Sequence, residues 1–252
     1  SSHTIGPMRI TYDFYNRCTK LPKDQLAKAT GLKVHLYGSL SATGEGHGTE
    51  RACLAGLIGK EPATVDPLFL DSLRDKPDQT FQVKLGDKTH TVSLKDIIYD
   101  SPKGEFPHPN TMSCKLLAGD KVLLEQEYYS VGGGFIEWKG YTPPKKGQPK
   151  YPYSTMAELQ AHARKNKLSI AQLGMANEIA VSGKSEAEVN AFLDKIATAM
   201  VNIVKTGLSM PVSTLPGPIK LKSKAAEVYK RAMDDEFIGQ RGVGVLSAYA
   251  LA

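Results

Sequence analysis

The 252-residue sequence has few cysteines and no long hydrophobic run, and these two shortages exclude several classes of protein. Cys18, Cys53 and Cys114 stand far apart with no CxxC pair, which argues against a disulfide scaffold and indicates reduced thiols in an intracellular protein. Apolar stretches such as residues 197–204 are much shorter than a membrane-spanning helix of roughly 20 residues. With no secretory signal either, we expect a cytoplasmic protein with no membrane partner.

The remaining composition is that of a folded protein with a mild positive charge. Hydrophobic residues make up 41% and charged residues 23%, which permits a buried core and argues against disorder. The net charge is +6, and the basic clusters lack interleaved aromatic residues. We interpret these clusters as solvated surface and expect no nucleic-acid partner. They comprise Lys145, Lys146, Lys150, Lys220, Lys222, Lys224, Lys230 and Arg231.

Strand patterns dominate the first part of the chain. Alternation predicts a strand over residues 33–37, a glycine-rich loop over 38–48 and a helix over 49–58. Two hairpins are expected further on, in which residues 81–85 pair with 88–94 and 112–117 with 121–129.

A segment rich in Pro, Gly and Lys over residues 140–152 separates these strands from a helical part. Beyond it, capping patterns at Thr155, Ser169 and Ser185 predict helices, the second ending at Gly183. The third carries an apolar face and is expected to end at Gly207. Residues 211–218 are predicted as a rigid connector before a basic helix. The apolar face comprises Val189, Phe192, Leu193, Ile196, Met200, Ile203 and Val204.

We therefore expect an α+β fold class in two domains. An antiparallel or mixed sheet domain with helices is assigned to residues 1–140, a linker to 141–152 and a partial all-α domain to 153–252. The apolar helix that begins near Gly244 has no stop signal, so we expect the helical domain to be a truncated piece that needs a partner surface.

Two segments place a histidine among glycines and small hydroxyl residues. One surrounds His3 at the beginning of the chain, and the other surrounds His47 in the predicted loop. Such loops approach ligands closely, the following helix start favours an anion, and a histidine there can transfer a proton. A flexible turn with an exposed histidine is the alternative interpretation. His35, His90 and His162 are interpreted as ordinary surface residues.

Several motifs in a fixed order resemble the iron–sulfur L-serine dehydratases, also called L-serine ammonia-lyases. They are SSHTIGPM, YGSLSATGEGHGT, KEPATVD, EYYSVGGGF and LPGP. The resemblance implies an enzyme that converts L-serine to pyruvate and ammonia with a [4Fe–4S] cluster, one iron of which takes the serine hydroxyl as a Lewis acid. It also implies a substrate-binding α+β domain followed by a helical domain that holds the cluster.

The resemblance assigns roles to individual residues. His47 is the candidate base for the serine α-proton, and His3 is a second proton-transfer or positioning residue. Residues expected to hold the substrate carboxylate or amino group are Ser1, Ser2, Thr4, Gly48, Thr49, Ser130 and Gly132. Residues 130–134 (SVGGG) are interpreted equally well as an anion-binding nest or as a tight turn.

The cysteines of this chain match none of the family's cluster motifs, so we expect no metal ligand here. The cluster ligands are expected outside this chain, which alone should be inactive. Expected partners are L-serine, the remainder of the catalytic helical domain and a second copy in a homodimer. A regulatory module that senses an amino acid or carboxylate, and a scaffold that assembles through its apolar tail, are the competing interpretations.

Overall fold

The computed structural model describes residues 1–66, 68–215, 220–234 and 241–252, with residue 241 described by its backbone alone. It divides into two compact units, Ser1–Thr142 and Pro143–Ala252. Strands lie in the first unit and helices make up the second, so the predicted α+β class is confirmed.

The first unit is built on a mixed sheet. Among the described residues this sheet has five strands in the order β4-β1-β5-β6-β7. β1 pairs with β4 in parallel, and the other neighbours are antiparallel. The strands are β1 (Gly31–Leu36), β4 (Ile97–Tyr99), β5 (Thr111–Ala118), β6 (Lys121–Gly132) and β7 (Phe135–Trp138). A separate hairpin joins β2 (Phe81–Leu85) to β3 (Lys88–Val92), as predicted.

Helices α1 and α4 pack against each other beside this sheet. The helices of the unit are α1 (Ile5–Cys18), α2 (Lys23–Leu26), α3 (Gly38–His47), α4 (Thr49–Leu57) and α5 (Leu68–Asp75). A Cβ added at Gly56 of α4 would lie 2.1 Å from the carbonyl oxygen of Met8, so only glycine permits this close approach. Buried Phe14, Leu54 and Tyr128 contribute to one shared core with the sheet.

Two elements of this unit differ from the sequence-based expectations. The predicted loop over residues 38–48 is wrong, because α3 occupies Gly38–His47. Leu40 is fully buried there, and Gly44 packs against Thr49 and Tyr99, so tertiary contacts outweigh the weak helix propensity of glycine. Helix α1 was not predicted, since Gly6 and Pro7 in its first turn obscure the helical pattern.

The second unit contains α6 (Met156–Asn166), α7 (Ile170–Ser182), α8 (Glu186–Ser209), α9 (Ala225–Ala232) and α10 (Arg241–Leu251). Capping boxes at Thr155, Ser169 and Ser185 are confirmed. Gly207 does not end α8, which continues to Ser209. Part of the predicted connector, residues 216–219, lies outside the described residues.

The apolar face of α8 is formed but mostly exposed to solvent in the described structure. Val189 is 8% exposed, whereas Phe192 is 58% and Met200 is 62% exposed. Among the described helices, none is long and apolar enough to cross a membrane.

Candidate active site

The structure brings the two predicted histidines into contact. The ring centroids of His3 and His47 lie 4.9 Å apart with the planes tilted by 50°. They come from two separate motifs, since His3 precedes α1 in SSHTIGPM and His47 is the last residue of α3 in YGSLSATGEGHGT. The sequence therefore folds to place two imidazoles beside each other, as a proton-transfer pair requires.

Both ring nitrogens of His3 have hydrogen-bond partners. Nδ1 lies 3.0 Å from the Ser2 hydroxyl, and Nε2 lies 3.0 Å from the hydroxyl and 3.3 Å from the carbonyl oxygen of Ser39. A neutral ring satisfies this arrangement when Nε2 donates to Ser39 and Nδ1 accepts from Ser2. Burial lowers the pKa of His3, the Ser39 carbonyl opposes this, and His47 lowers the pKa further. His3 is therefore held in one orientation and favours its neutral form.

His47 lies at a sharp turn between two helices. Gly48 ends α3 and begins α4 with φ of 65°, a left-handed conformation that suits glycine. The Arg51 side chain covers Gly48, and a Cβ there would lie 2.4 Å from Nη2 of Arg51. The His47 side chain is exposed, and its ring nitrogens have no hydrogen-bond partner in the described part of the chain. Its nitrogens are thus open to a ligand.

Hydroxyl groups connect the two histidine segments. Thr4 Oγ1 donates to the carbonyl oxygen of His47 at 3.1 Å, and Thr49 Oγ1 donates to that of His3 at 2.5 Å. Ser130 Oγ donates to the carbonyl oxygen of Ser2 at 2.7 Å, and both Thr49 and Ser130 are fully buried. Their hydrogens are donated to main-chain carbonyls, so these hydroxyls hold the histidine segments together, and their oxygens can still accept a hydrogen bond from a ligand. A direct role of these hydroxyls in substrate binding stays a prediction.

Two helix N-termini meet beside the histidine pair. The Thr4–His47 and Thr49–His3 hydrogen bonds bring the beginning of α1 next to that of α4, and no side chain caps either helix. Uncapped helix N-termini attract anions such as a carboxylate. Glu50 in the first turn of α4 is already engaged, because it accepts from the Tyr99 hydroxyl and pairs with Arg51.

The other predicted residues occupy different positions. The Ser1 carbonyl oxygen accepts from the Gly6 amide at 2.8 Å, at the edge of the same cluster. Gly132 lies at the bulged end of β6, opposite Phe135, and no hydrogen bond described here links it to the histidines. The SVGGG segment forms the end of β6 and the turn into β7, in agreement with the tight-turn interpretation.

Two residues of the site escaped the sequence analysis. Ser39 contacts His3 through both its hydroxyl and its carbonyl oxygen. The side-chain amide of Asn110 donates to the carbonyl oxygen of Ser130 at 3.2 Å and so supports the residue that binds Ser2. Ser39 belongs to the YGSLSATGEGHGT motif, and its position at the start of a helix could have indicated that it lies near the site. No sequence pattern around Asn110 indicates a role in the site.

The described residues do not fit an iron–sulfur cluster. No group of three or more Cys, His, Asp or Glu in the described ranges is arranged to hold a metal ion. Burial raises the pKa of Cys18 to about 12 and raises those of Cys53 and Cys114 well above the usual range. Cluster ligands are thiolates, so these core thiols are unsuited to the task.

Comparison with known proteins decides the family. The family model described as "Serine dehydratase beta chain" matches residues 1–141, which contain both histidines. This chain belongs to the serine dehydratase beta chain family. The resemblance stated from the motifs is thereby confirmed.

The alignments of this serine dehydratase beta chain family member with individual relatives cover both of its units. L-serine dehydratase 2 of Escherichia coli is 33% identical over 244 residues, covering 94% of this chain and 52% of the relative. L-serine dehydratase 1 of E. coli is 30% identical, and L-serine dehydratase of Streptomyces coelicolor is 32% identical; each alignment covers 100% of this chain and 56% of the relative. The chain thus spans about half the length of these curated relatives.

Proposed function

We propose that this chain supplies the substrate-binding and proton-transfer residues of an L-serine ammonia-lyase. The enzyme would remove water and ammonia from L-serine and release pyruvate. The observation that carries this proposal is the contact between His3 and His47 at the junction of two uncapped helix N-termini. The names of the relatives, which are L-serine dehydratases, support the choice of reaction.

The two histidines have different tasks in this proposal. Both nitrogens of His3 have hydrogen-bond partners, while those of His47 have none among the described residues, so His47 is the group that accepts the Cα proton of serine. His3 positions His47. Because the pKa of His3 is lowered, His3 is neutral near neutral pH and adds no positive charge beside the His47 ring that accepts the proton. The base must be neutral before the reaction, so turnover should decrease on acidification.

The substrate's charged groups would lie beside the two helix starts. Amide groups in the first turn of α4 would receive the carboxylate, which would orient the Cα–H bond toward His47. In the first turn of α1 the Gly6 amide already donates to the Ser1 carbonyl oxygen and Pro7 has no N–H, so α1 would contribute through its helix dipole. After the proton and the hydroxyl group leave, the product is aminoacrylate. It tautomerises and then hydrolyses to pyruvate and ammonia in water.

The proposal also includes an iron–sulfur cluster and partner molecules. The [4Fe–4S] cluster implied by the resemblance would be held by residues outside this chain, since the described residues do not fit it. The exposed apolar side chains of α8 support contact with the remainder of a helical domain and with a second copy in a homodimer. L-serine is the proposed substrate.

Substitution of His47 tests this proposal in the complete enzyme. His47→Ala should lower kcat by about 10²- to 10⁴-fold with a small change in KM, because a general base acts in the transition state. Pyruvate formation from L-serine is the measurement. His162→Ala is the matched control, since His162 lies in α6, where its Nε2 hydrogen-bonds with the Pro152 carbonyl oxygen and its ring contacts Tyr151.

Two results would contradict the proposal. The first is a His47→Ala enzyme that retains full kcat and responds differently only to an effector, which would favour the regulatory module. The second is pyruvate formation by the 252-residue chain alone, after reconstitution with iron and sulfide without oxygen, since cluster ligands would then lie within it.

A further inference from the structure

A second cleft lies on the first unit and shares no lining residue with the histidine cluster. Its volume is about 320 Å³, in the range of small-molecule sites. One wall is a face of α1, where Arg9, Asp13 and Asn16 follow each other at helical spacing. The opposite side is formed by the loop after α4, with Glu61, and by Ile136 of β7.

Arg9 presents an unpaired positive charge to this cleft. It is half-buried, and its guanidinium has no ion pair or hydrogen bond among the described residues. Arg17 and Arg51 contrast with it, because each pairs with a carboxylate within 3.2 Å. A guanidinium that keeps all its donors is suited to a carboxylate, which it binds with two parallel hydrogen bonds.

Two carboxylates supply the opposite charge without neutralising Arg9. Asp13 stands four residues after Arg9 but is directed elsewhere, since its Oδ2 accepts from Arg17 at 2.6 Å and from the Tyr128 hydroxyl at 2.7 Å. Its Oδ1 has no partner within the described ranges. The Glu61 side chain is exposed, and its carboxylate makes no hydrogen bond or ion pair with the described residues. Cation and anions therefore line one cleft with space between them.

We propose that this cleft binds a small zwitterion of the α-amino-acid type. The ligand's carboxylate pairs with Arg9, its ammonium group lies near Glu61 and Asp13 Oδ1, and Ile136 offers an apolar surface to its side chain. This binding site is independent of the lyase activity proposed above, because no residue is shared between the two sites.

NMR titration of the 252-residue chain tests the proposal with three probes. L-alanine carries both charges and lacks the hydroxyl group that the proposed lyase would remove, whereas acetate and methylamine carry one charge each. L-alanine should bind at least about tenfold more tightly than either single-charge probe. Arg9→Gln and Glu61→Gln should each weaken L-alanine binding about tenfold or more, and His47→Ala should leave it unchanged.

Glu61 lies in an exposed loop, so Glu61→Gln should leave the fold intact. It therefore tests the proposal even if Arg9→Gln disturbs α1. The proposal is overturned if L-alanine at about 10 mM does not bind, or if acetate binds as tightly as L-alanine. It is also overturned if His47→Ala abolishes binding while Arg9→Gln and Glu61→Gln retain it. Each of these outcomes leaves the kinetic test of His47 unaffected, so the two proposals fail separately.

Discussion

At the residue scale, His90 shows how burial controls a single charge. His90 is 6% exposed, and its Nε2 is a buried nitrogen without a hydrogen-bond partner in the described structure. The interpretation of His90 as a surface residue is therefore wrong. Exposed and buried residues alternate along the end of β3, so His90 lies on the same face as buried Val92 and pairs with Val83 of β2. Period-two alternation was the available signal.

This burial predicts a pH dependence of stability. Desolvation lowers the pKa of His90 below 6.5, nearby Lys88 adds to this, and the Thr30 carbonyl opposes it. The unfolded chain, with a histidine pKa of about 6.5, then binds more protons than the native chain. The free energy of unfolding should fall as the pH decreases below about 6.5, by up to about 1.4 kcal/mol per pH unit for one proton.

His90→Leu should reduce this slope, and His162→Leu in the helical unit should not. Urea unfolding between about pH 5 and pH 8 measures the slope. Trp138, the single tryptophan, belongs to the first unit and reports its unfolding by fluorescence. Equal slopes in the wild-type chain and His90→Leu would show that His90 titrates normally. His3 contributes in the same direction and is unchanged in both variants.

At the element scale, the turn between α3 and α4 depends on one glycine. Gly48→Ala should lower the free energy of unfolding by about 1–2 kcal/mol, because φ of 65° is unfavourable for alanine and Arg51 occupies the space of its Cβ. Gly46→Ala is the matched control two residues earlier. It has no heavy atom within 4 Å of an added Cβ and lies inside α3, so it should stabilise the unit by about 0.5–1 kcal/mol.

Urea unfolding of both variants, followed by Trp138 fluorescence, provides the comparison. Opposite signs are the expected result. Destabilisation of similar size by both substitutions would show that an added side chain is unfavourable at Gly46 as well, and that the left-handed turn at Gly48 has no special role.

Elements with local signals were predicted well, and elements that depend on distant contacts were not. In the capping boxes at Thr155, Ser169 and Ser185, the hydrogen bonds join residues of the same first helical turn, so the local sequence is enough to predict them. Helix α3 forms where Gly44 meets Tyr99, which is 55 positions away in the sequence. At the site, resemblance assigned His3 and His47, but the hydrogen bonds of Ser39 and Asn110 arise only from the tertiary arrangement.

At the scale of the whole molecule, the two units differ in how they bury apolar residues. The main core cluster extends from Ile10 to Trp138 within the first unit. In the second unit, the described apolar residues of α8 include Phe192 and Met200, which remain more than half exposed. The sequence predicts the apolar stripe of α8, because a stripe is a local periodicity. It cannot predict the exposure of that stripe, because burial depends on what packs against the helix.

The three thiols of the first unit make its opening visible without any substitution. Cys18 lies in α1, Cys53 in α4 and Cys114 in β5, and all three are fully buried with raised pKa values. Alkylating reagents attack thiolates, so iodoacetamide should modify the native chain only when these elements separate. Mass spectrometry of the digested, alkylated chain should therefore give three similar labelling rates if the elements open together. Faster labelling of Cys18 than of the other two would instead identify the end of α1 as the place where opening begins.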